Sequence, residues 1–191
     1  MAQVVERIGP RPAMPRELAL RARKVRIVAV DVDGVLTDGR ITIDTAGREA
    51  RIFHEGDRAG IALLRRAGID VLALGQRRTR AIPAWARKLR VTSILAGGGE
   101  GHGSMRGFCR RRGLDLDAVA YVGHDVLDLP LTAAVGLAIS VADGSDHVRR
   151  GAHWVTMRGG GGGALREVAE IILRAQGKWA STIGEMWRRW D

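Results

Sequence analysis

Residues 25–39, VRIVAVDVDGVLTDG, decide how the chain is read. The run of Val, Ile and Ala within residues 25–34 has no 3.6-residue period, which marks a strand covered on both faces. It ends in Asp31-Val32-Asp33-Gly34. Two carboxylates two residues apart, just past a buried strand, point the same way while the backbone stays extended. Such a pair suits phosphoryl chemistry: one carboxylate attacks phosphorus while the other shuttles the proton of the leaving oxygen. With further carboxylates the pair can also hold Mg²⁺, which prefers hard oxygen ligands.

The rest of the chain follows the same logic outward. Pro15 to Lys24 reads as a short helix with proline near its first turn. Residues 40–53, RITIDTAGREARIF, alternate in two short runs around Thr45-Ala46-Gly47 and predict a β-hairpin. Ile61 to Ala67 has helical spacing and ends at Gly68. Buried strands are expected at 69–74, 91–96, 119–123 and 136–141, with a short one at 154–157. Helices are expected at 79–89, 104–112, near 127–134, and at 164–176 after a glycine run. Strands alternating with helices imply an α/β fold with a parallel sheet and right-handed crossovers. Ligands of such sheets sit at the carboxyl ends of the strands. That rule selects Asp31 to Thr37, Gly75 to Arg78, Gly97 to Gly101 and Gly123 to Asp128.

Composition narrows the class. With 191 residues, 46% apolar and 27% charged, the chain suits one globular domain and excludes a disordered tail protein. The lone Cys109 excludes an internal disulfide framework and reads as a small core or surface residue. No apolar run approaches the roughly 18 residues of a membrane span. The N-terminus lacks an apolar signal core, so a cytoplasmic location is expected. The net charge of +10 invites a nucleic-acid reading. Residues 1–26 carry seven basic side chains against Glu6 and Glu17, yet no aromatic platform, helix-turn-helix or zinc signature accompanies them. A solvated basic surface is the plainer account, and a nucleic-acid partner is not expected.

The motifs resemble the haloacid dehalogenase superfamily and, within it, the capless 3-deoxy-D-manno-octulosonate 8-phosphate phosphatases. The resemblance runs without gaps from about Arg21 to Lys178. It is carried by ARKVRIVAVDVDGVLTDG (22–39), FHEGDRAGIALLRRAGIDV (53–71), VAYVGHDVLDLPL (119–131), AVGLAISVAD (134–143) and GALREVAEIILRAQGK (163–178). It implies a Rossmann-like three-layer fold with a parallel sheet and a projecting hairpin at about 40–53, without a cap domain. Residues 1–24 would form a basic extension and helix, 25–177 the phosphatase domain, and 178–191 a tail. The resemblance makes Asp31 the nucleophile that becomes phosphorylated. Asp33 becomes the general acid/base, which also offers its carbonyl to Mg²⁺. It further implies hydrolysis of a sugar-acid phosphate and a homotetramer whose hairpins meet at its centre.

The chain departs from that pattern where phosphate and metal should be held. Gly75-Gln76 stands where the family has Thr or Ser followed by Gly. Gly101 stands at the gapless position of its lysine, and His124 replaces the first Asp of a Gly-Asp-Asp motif. Gly162 takes the place of a basic residue in the late glycine loop. His54 and Asp57 fall in a substrate-facing stretch whose Arg and Gly neighbours are here Gly56 and Arg58, so both read as surface residues. Candidate replacements are Thr37, Arg77, Arg78 and His102 for substrate binding, and Asp125 or His124 beside Asp31 and Asp33 for metal. Imidazole suits Mn²⁺ or another softer divalent ion better than Mg²⁺. Losing one donor at a charge-developing site typically costs about 10²–10³ in rate.

Two activities from different classes follow: an impaired or altered phosphatase, or a pseudophosphatase that keeps the fold as a binding or assembly subunit and needs no metal. The glycine run 159–163 reads as a flexible loop whose amides could cradle an anion. Trp179, Ile183, Met186, Trp187 and Trp190 recur at helical spacing in the tail. That face has to cover either the chain's own domain or a neighbour; a neighbouring subunit is the expected cover, with a partner protein or membrane surface as the alternative.

Overall fold

The computed structural model describes residues 14–75, 81–88, 91–96 and 100–187. Arg77, Arg78, Gln76 and Trp190 lie outside the described residues. Helix α1 (Arg16–Lys24) leads into β1 (Ile27–Asp31), and a hairpin of β2 (Thr42–Ile43) and β3 (Glu49–Ala50) follows. Next come α2 (Glu55–Arg66), β4 (Asp70–Gly75), α3 (Ala81–Lys88), β5 (Ser93–Ala96) and α4 (Gly101–Arg111). The chain continues through β6 (Val119–Gly123), α5 (Leu129–Thr132), β7 (Leu137–Ser140), α6 (Asp146–Gly151) and β8 (Trp154–Val155). Two helices close it, α7 (Ala164–Ala175) and α8 (Trp179–Trp187).

The six long-sheet strands run in the order β5-β4-β1-β6-β7-β8, and every pairing is parallel. The chain builds outward on one side of β1 through β4 and β5, then returns to place β6 on the other side. The gap between β1 and β6 is therefore the topological switch point, where a crevice opens beyond the strand ends. All five residues of β1 are buried because helices cover both sheet faces. One apolar layer packs α1, α2 and α7 on the sheet; the other packs Met105, Phe108 and Cys109 of α4 with Leu131 and Tyr121. The α/β, Rossmann-like, three-layer architecture and its hairpin are as the sequence implies.

Boundaries moved where local signals were weak. Helix α2 starts at Glu55 rather than near Ile61, because the His54 ring caps it by accepting from the Gly56 amide at 2.9 Å. Gly56 and Gly60 hide that first turn from a periodicity argument. Gly60 is there for packing: a Cβ would come within 2.7 Å of the Leu165 backbone, where α2 crosses α7. Asp57 is fully buried, against its reading as a surface residue. Its Oδ1 accepts from the Leu165 amide at 2.9 Å, so a side chain on α2 caps the start of α7. Burial pushes the Asp57 carboxyl up to about 6.

The tail expectation also changes. Trp179 is buried on the chain's own domain, with Arg166 and Arg174 over its ring at 4.9 and 5.1 Å. Ile183 and Met186 pack on the same core, and Glu185 pairs with Arg66. The described part of the tail packs on α2 and α7. The glycine run is likewise a packing device. The Gly161 amide donates to the Val35 carbonyl at 2.9 Å, and a Cβ on Gly160 would stand 2.0 Å from the Gly34 carbonyl oxygen. Only backbone without side chains can lie this close, and it props the loop after β1 from below.

Candidate active site

The site forms at the carboxyl ends of β1, β4 and β6. Parallel register sets Asp31 opposite Leu74, so Gly75 follows directly beside the nucleophile candidate. Past Asp31 the chain turns through Val32–Leu36, with Gly34 at φ +95°. The two carboxylates of the loop then meet different partners. Asp31 is 1% exposed and faces His124, while the half-buried Asp33 is held by Arg51. Thr37 was expected to contact substrate. Its hydroxyl is instead fully buried, accepting from the Gly34 and Gly39 amides and donating to the Val32 carbonyl. It staples the loop that carries both carboxylates.

On β6, Gly123 allows the chain to fold back at once, because a Cβ would press on the Asp128 side chain at 2.8 Å. A short 3₁₀ turn, Val126–Asp128, returns Asp128 to the strand end. Asp128 is 2% exposed. Its Oδ2 accepts from the His124 amide at 2.7 Å and the Asp125 amide at 3.0 Å, and its Oδ1 from the Tyr121 hydroxyl at 2.5 Å. Asp125, expected among the metal ligands, is turned to a capping role and accepts from the Val126 amide at 2.6 Å. The residue that sequence reasoning left out of the ligand set is Asp128. Its spacing of four from His124 was the available signal.

His124 lies against the backbone of Gly34, where a Cβ would be 2.2 Å from the ring. Its Nδ1 is 3.2 Å from Asp31 Oδ2 and 3.4 Å from Asp128 Oδ2. Asp31 Oδ2 and His124 Nδ1 are both buried without a hydrogen-bond partner of good geometry. Together with Asp128 they can each aim one ligand atom at a common point, all within 4.8 Å of one another. Ligand atoms converging in this way fit a divalent cation, and one nitrogen among two oxygens favours Mn²⁺, Co²⁺ or Zn²⁺ over Mg²⁺.

Without a metal the same atoms form a charge network. Burial pushes the Asp31 carboxyl up to about 6, despite the pull of His124 in the other direction. Burial opposes charge on the His124 ring, but Asp128 and Asp31 outweigh it and raise the ring to about 10. Asp128 stays below its ordinary range: burial is outweighed by hydrogen bonds from His124 and Tyr121. Burial beside Asp128 lifts the Tyr121 hydroxyl well above 10. Because the folded His124 value exceeds the unfolded 6.5, its charge stabilises the fold fully below about pH 6.5. That contribution is lost as pH rises toward 10. In chelator, unfolding free energy is expected to fall by on the order of 2–3 kcal/mol between about pH 7 and 9.5. His124→Asn should flatten that slope in denaturant titrations. An equally steep slope in the variant would assign it to another group.

The remaining expected residues are not drawn into this cluster. His102 sits half-exposed in the first turn of α4, one residue after the buried Gly101. Arg77 and Arg78 fall outside the described residues. A cation absent from the sequence-level site appears instead: Arg51, just past β3, donates from Nε to Asp33 Oδ1 at 2.6 Å. Glu49 holds its Nη1 at 2.9 Å. The side chain comes from the hairpin, 18 residues along the chain, and no local motif announced it.

No family model matches the chain. Individual relatives do. It is 35% identical over 164 residues to the 3-deoxy-D-manno-octulosonate 8-phosphate phosphatase of Yersinia pestis, covering 86% of this chain and 88% of the relative. The Moraxella catarrhalis enzyme of the same name, solved with a magnesium ion, a phosphate ion and a KDO molecule, superposes at TM-score 0.86. It is 31% identical, over 91% of this chain and 99% of that one. The cobalt-bound Haemophilus influenzae phosphatase gives TM-score 0.79 at 34% identity, over 83% and 93% of the two chains.

Proposed function

Because the chain belongs to the 3-deoxy-D-manno-octulosonate 8-phosphate phosphatase family of the haloacid dehalogenase superfamily, we propose that it hydrolyses a sugar-acid phosphomonoester at a site altered toward a softer divalent ion. The observation that carries this reading is the convergence of Asp31 Oδ2, His124 Nδ1 and Asp128 Oδ2 at the strand ends.

Asp31, His124 and Asp128 would hold the ion, whose chemistry is to neutralise charge on the phosphoryl oxygens and the nucleophile. The ion and a proton compete for the same His124 nitrogen, so loading releases a proton. In the reaction, an Asp31 carboxylate oxygen bonds to phosphorus as the phosphorus–ester oxygen bond breaks. Asp33 delivers a proton to the departing sugar oxygen. Water then attacks the aspartyl-phosphate, Asp33 takes its proton, and inorganic phosphate leaves with Asp31 restored. Tyr121 and the amides of His124 and Asp125 keep Asp128 fixed through both steps.

The enzyme is read as cytoplasmic and homotetrameric. The exposed Ile43 and Ile52 of the projecting hairpin support subunit contacts there. Among the described residues no helix is long and apolar enough to cross a membrane. The alternative, a pseudophosphatase acting as a binding or assembly subunit, has one observation in its favour. The Arg51–Asp33 ion pair occupies the general acid, while Gly75 and Gly101 offer no side chain to phosphate.

Phosphate release from the sugar-acid phosphate and from an aryl phosphate, measured with Mg²⁺, Mn²⁺, Co²⁺ and Zn²⁺ in turn, separates the two. Turnover with Mn²⁺ or Co²⁺ should exceed that with Mg²⁺ by about tenfold or more. Absence of turnover with every ion overturns the enzyme reading.

A further inference from the structure

We infer that Arg51 is the phosphate-neutralising side chain of this site, and that its guanidinium exchanges Asp33 for the phosphoryl oxygens when substrate binds. The inference rests on the phosphomonoester reading above and names the residue that makes it workable.

Charge requires such a group. Asp31, Asp33 and Asp128 already place three carboxylates at the strand ends, and a phosphomonoester brings up to two further negative charges. Phosphoryl transfer depends on cations that offset this crowding. Gly75 and Gly101 supply only backbone. His124 is committed between Asp31 and Asp128. Among the described residues, Arg51 is the other cation paired with a carboxylate of the site.

The geometry suits an exchange. Arg51 Nε grips Asp33 Oδ1 at 2.6 Å, but Nη2 reaches Oδ2 only at 3.5 Å. One end of the guanidinium is thus tight and the other loose. Glu49 anchors Nη1, so the group can turn about that contact without leaving the site mouth. A guanidinium offers a planar fork of donors that matches phosphate as well as carboxylate. The hairpin that carries it has two-residue strands whose residues are all exposed, while the Arg51 side chain itself is covered, so the exchange has to come from movement of the hairpin.

Asp33 needs the exchange as much as the phosphate does. While Arg51 grips Oδ1, only the loosely held Oδ2 is open to the leaving oxygen. A single movement therefore frees the general acid and delivers positive charge to the group being transferred. In the absence of phosphate, the pair keeps both side chains matched and the site at rest.

The test reads phosphate binding rather than turnover. Titration calorimetry with inorganic phosphate, in the presence of Mn²⁺, compares the full chain with Arg51→Ala, Asp33→Asn and the double variant. Arg51→Ala should weaken phosphate by about 10- to 100-fold, and Arg51→Lys by less. Asp33→Asn should tighten phosphate in the parent chain by releasing the guanidinium. That gain should disappear in the Arg51→Ala background, since relief of simple repulsion would persist there. Added free guanidinium should restore part of the turnover of Arg51→Ala, which a structural role would not allow. Thermal melting of each variant checks the fold. Equal phosphate affinity with and without Arg51, the same Asp33→Asn gain in both backgrounds, or no phosphate binding by the parent chain overturns the inference. Arg51-dependent phosphate binding without any turnover instead overturns the hydrolase reading and leaves the role of Arg51 standing.

Discussion

Asp31→Asn is expected to remove phosphomonoester turnover by more than about 10³-fold with every divalent ion, because no other residue can take over the attack on phosphorus. An amide oxygen is a far weaker nucleophile than a carboxylate, and the change preserves shape. Stability should move the other way, or hardly at all. The wild-type carboxyl is buried, and burial raises it to about 6 against the pull of His124. For an acid whose folded value lies above its unfolded one, stability falls as pH rises from about 4 to about 6 and stays reduced at neutral pH. Asn carries no charge to bury, so the variant escapes that decline. Loss of activity with an unchanged or higher melting temperature at pH 7.5 is the signature of a residue held at a cost for its chemistry. Retention of a tenth of the turnover, measured as phosphate release, would exclude an aspartyl-phosphate on Asp31.

His124→Asp is expected to move the ion preference toward Mg²⁺. The substitution replaces the one nitrogen of the converging set by oxygen, the donor that Mg²⁺ prefers. It also removes the proton that competes for the nitrogen, so ion binding no longer has to displace it. Room is not limiting, because the larger imidazole already fits against Gly34. Mg²⁺-dependent kcat/KM should rise at least about tenfold, and the ratio of Mn²⁺ to Mg²⁺ activity should fall by a similar factor. In chelator the variant should melt below the parent, since three converging carboxylates lose the ring that stood between them. Mg²⁺ should restore that loss more effectively than it stabilises the parent. An unchanged response to Mg²⁺ would mean that His124 does not belong to the ion site.

Both predictions turn on residues that the sequence announced to different degrees. Asp31 and Asp33 were legible because the uncharged apolar run after Arg26 ends in them, with Asp31 the last residue of β1. Strand β6 was read at its observed bounds for the same reason, and the α/β order followed from repeated alternation. The first turn of α2 and the short α6 were not legible. Glycines at 56 and 60 blur the period of one, and six residues are too few to show a period in the other. Asp57 looked like a surface residue because its burial depends on α7, which lies about a hundred residues further along. What the tail covers was not legible, because nothing local shows that Arg166 and Arg174 stand ready to enclose Trp179.

By itself, the sequence determined the α/β order, the position of the first carboxylate pair and the loss of side chains at Gly75 and Gly101. These are local matters of hydrophobic period and residue identity. Only the tertiary structure placed Asp128 rather than Asp125 beside His124, since a 3₁₀ turn folds one back and uses the other as its cap. Only it brought Arg51 from the hairpin onto Asp33, and laid the glycine run under the catalytic loop. Those contacts join segments far apart in the chain. Their energies depend on distance and burial in space, which spacing along the sequence does not encode.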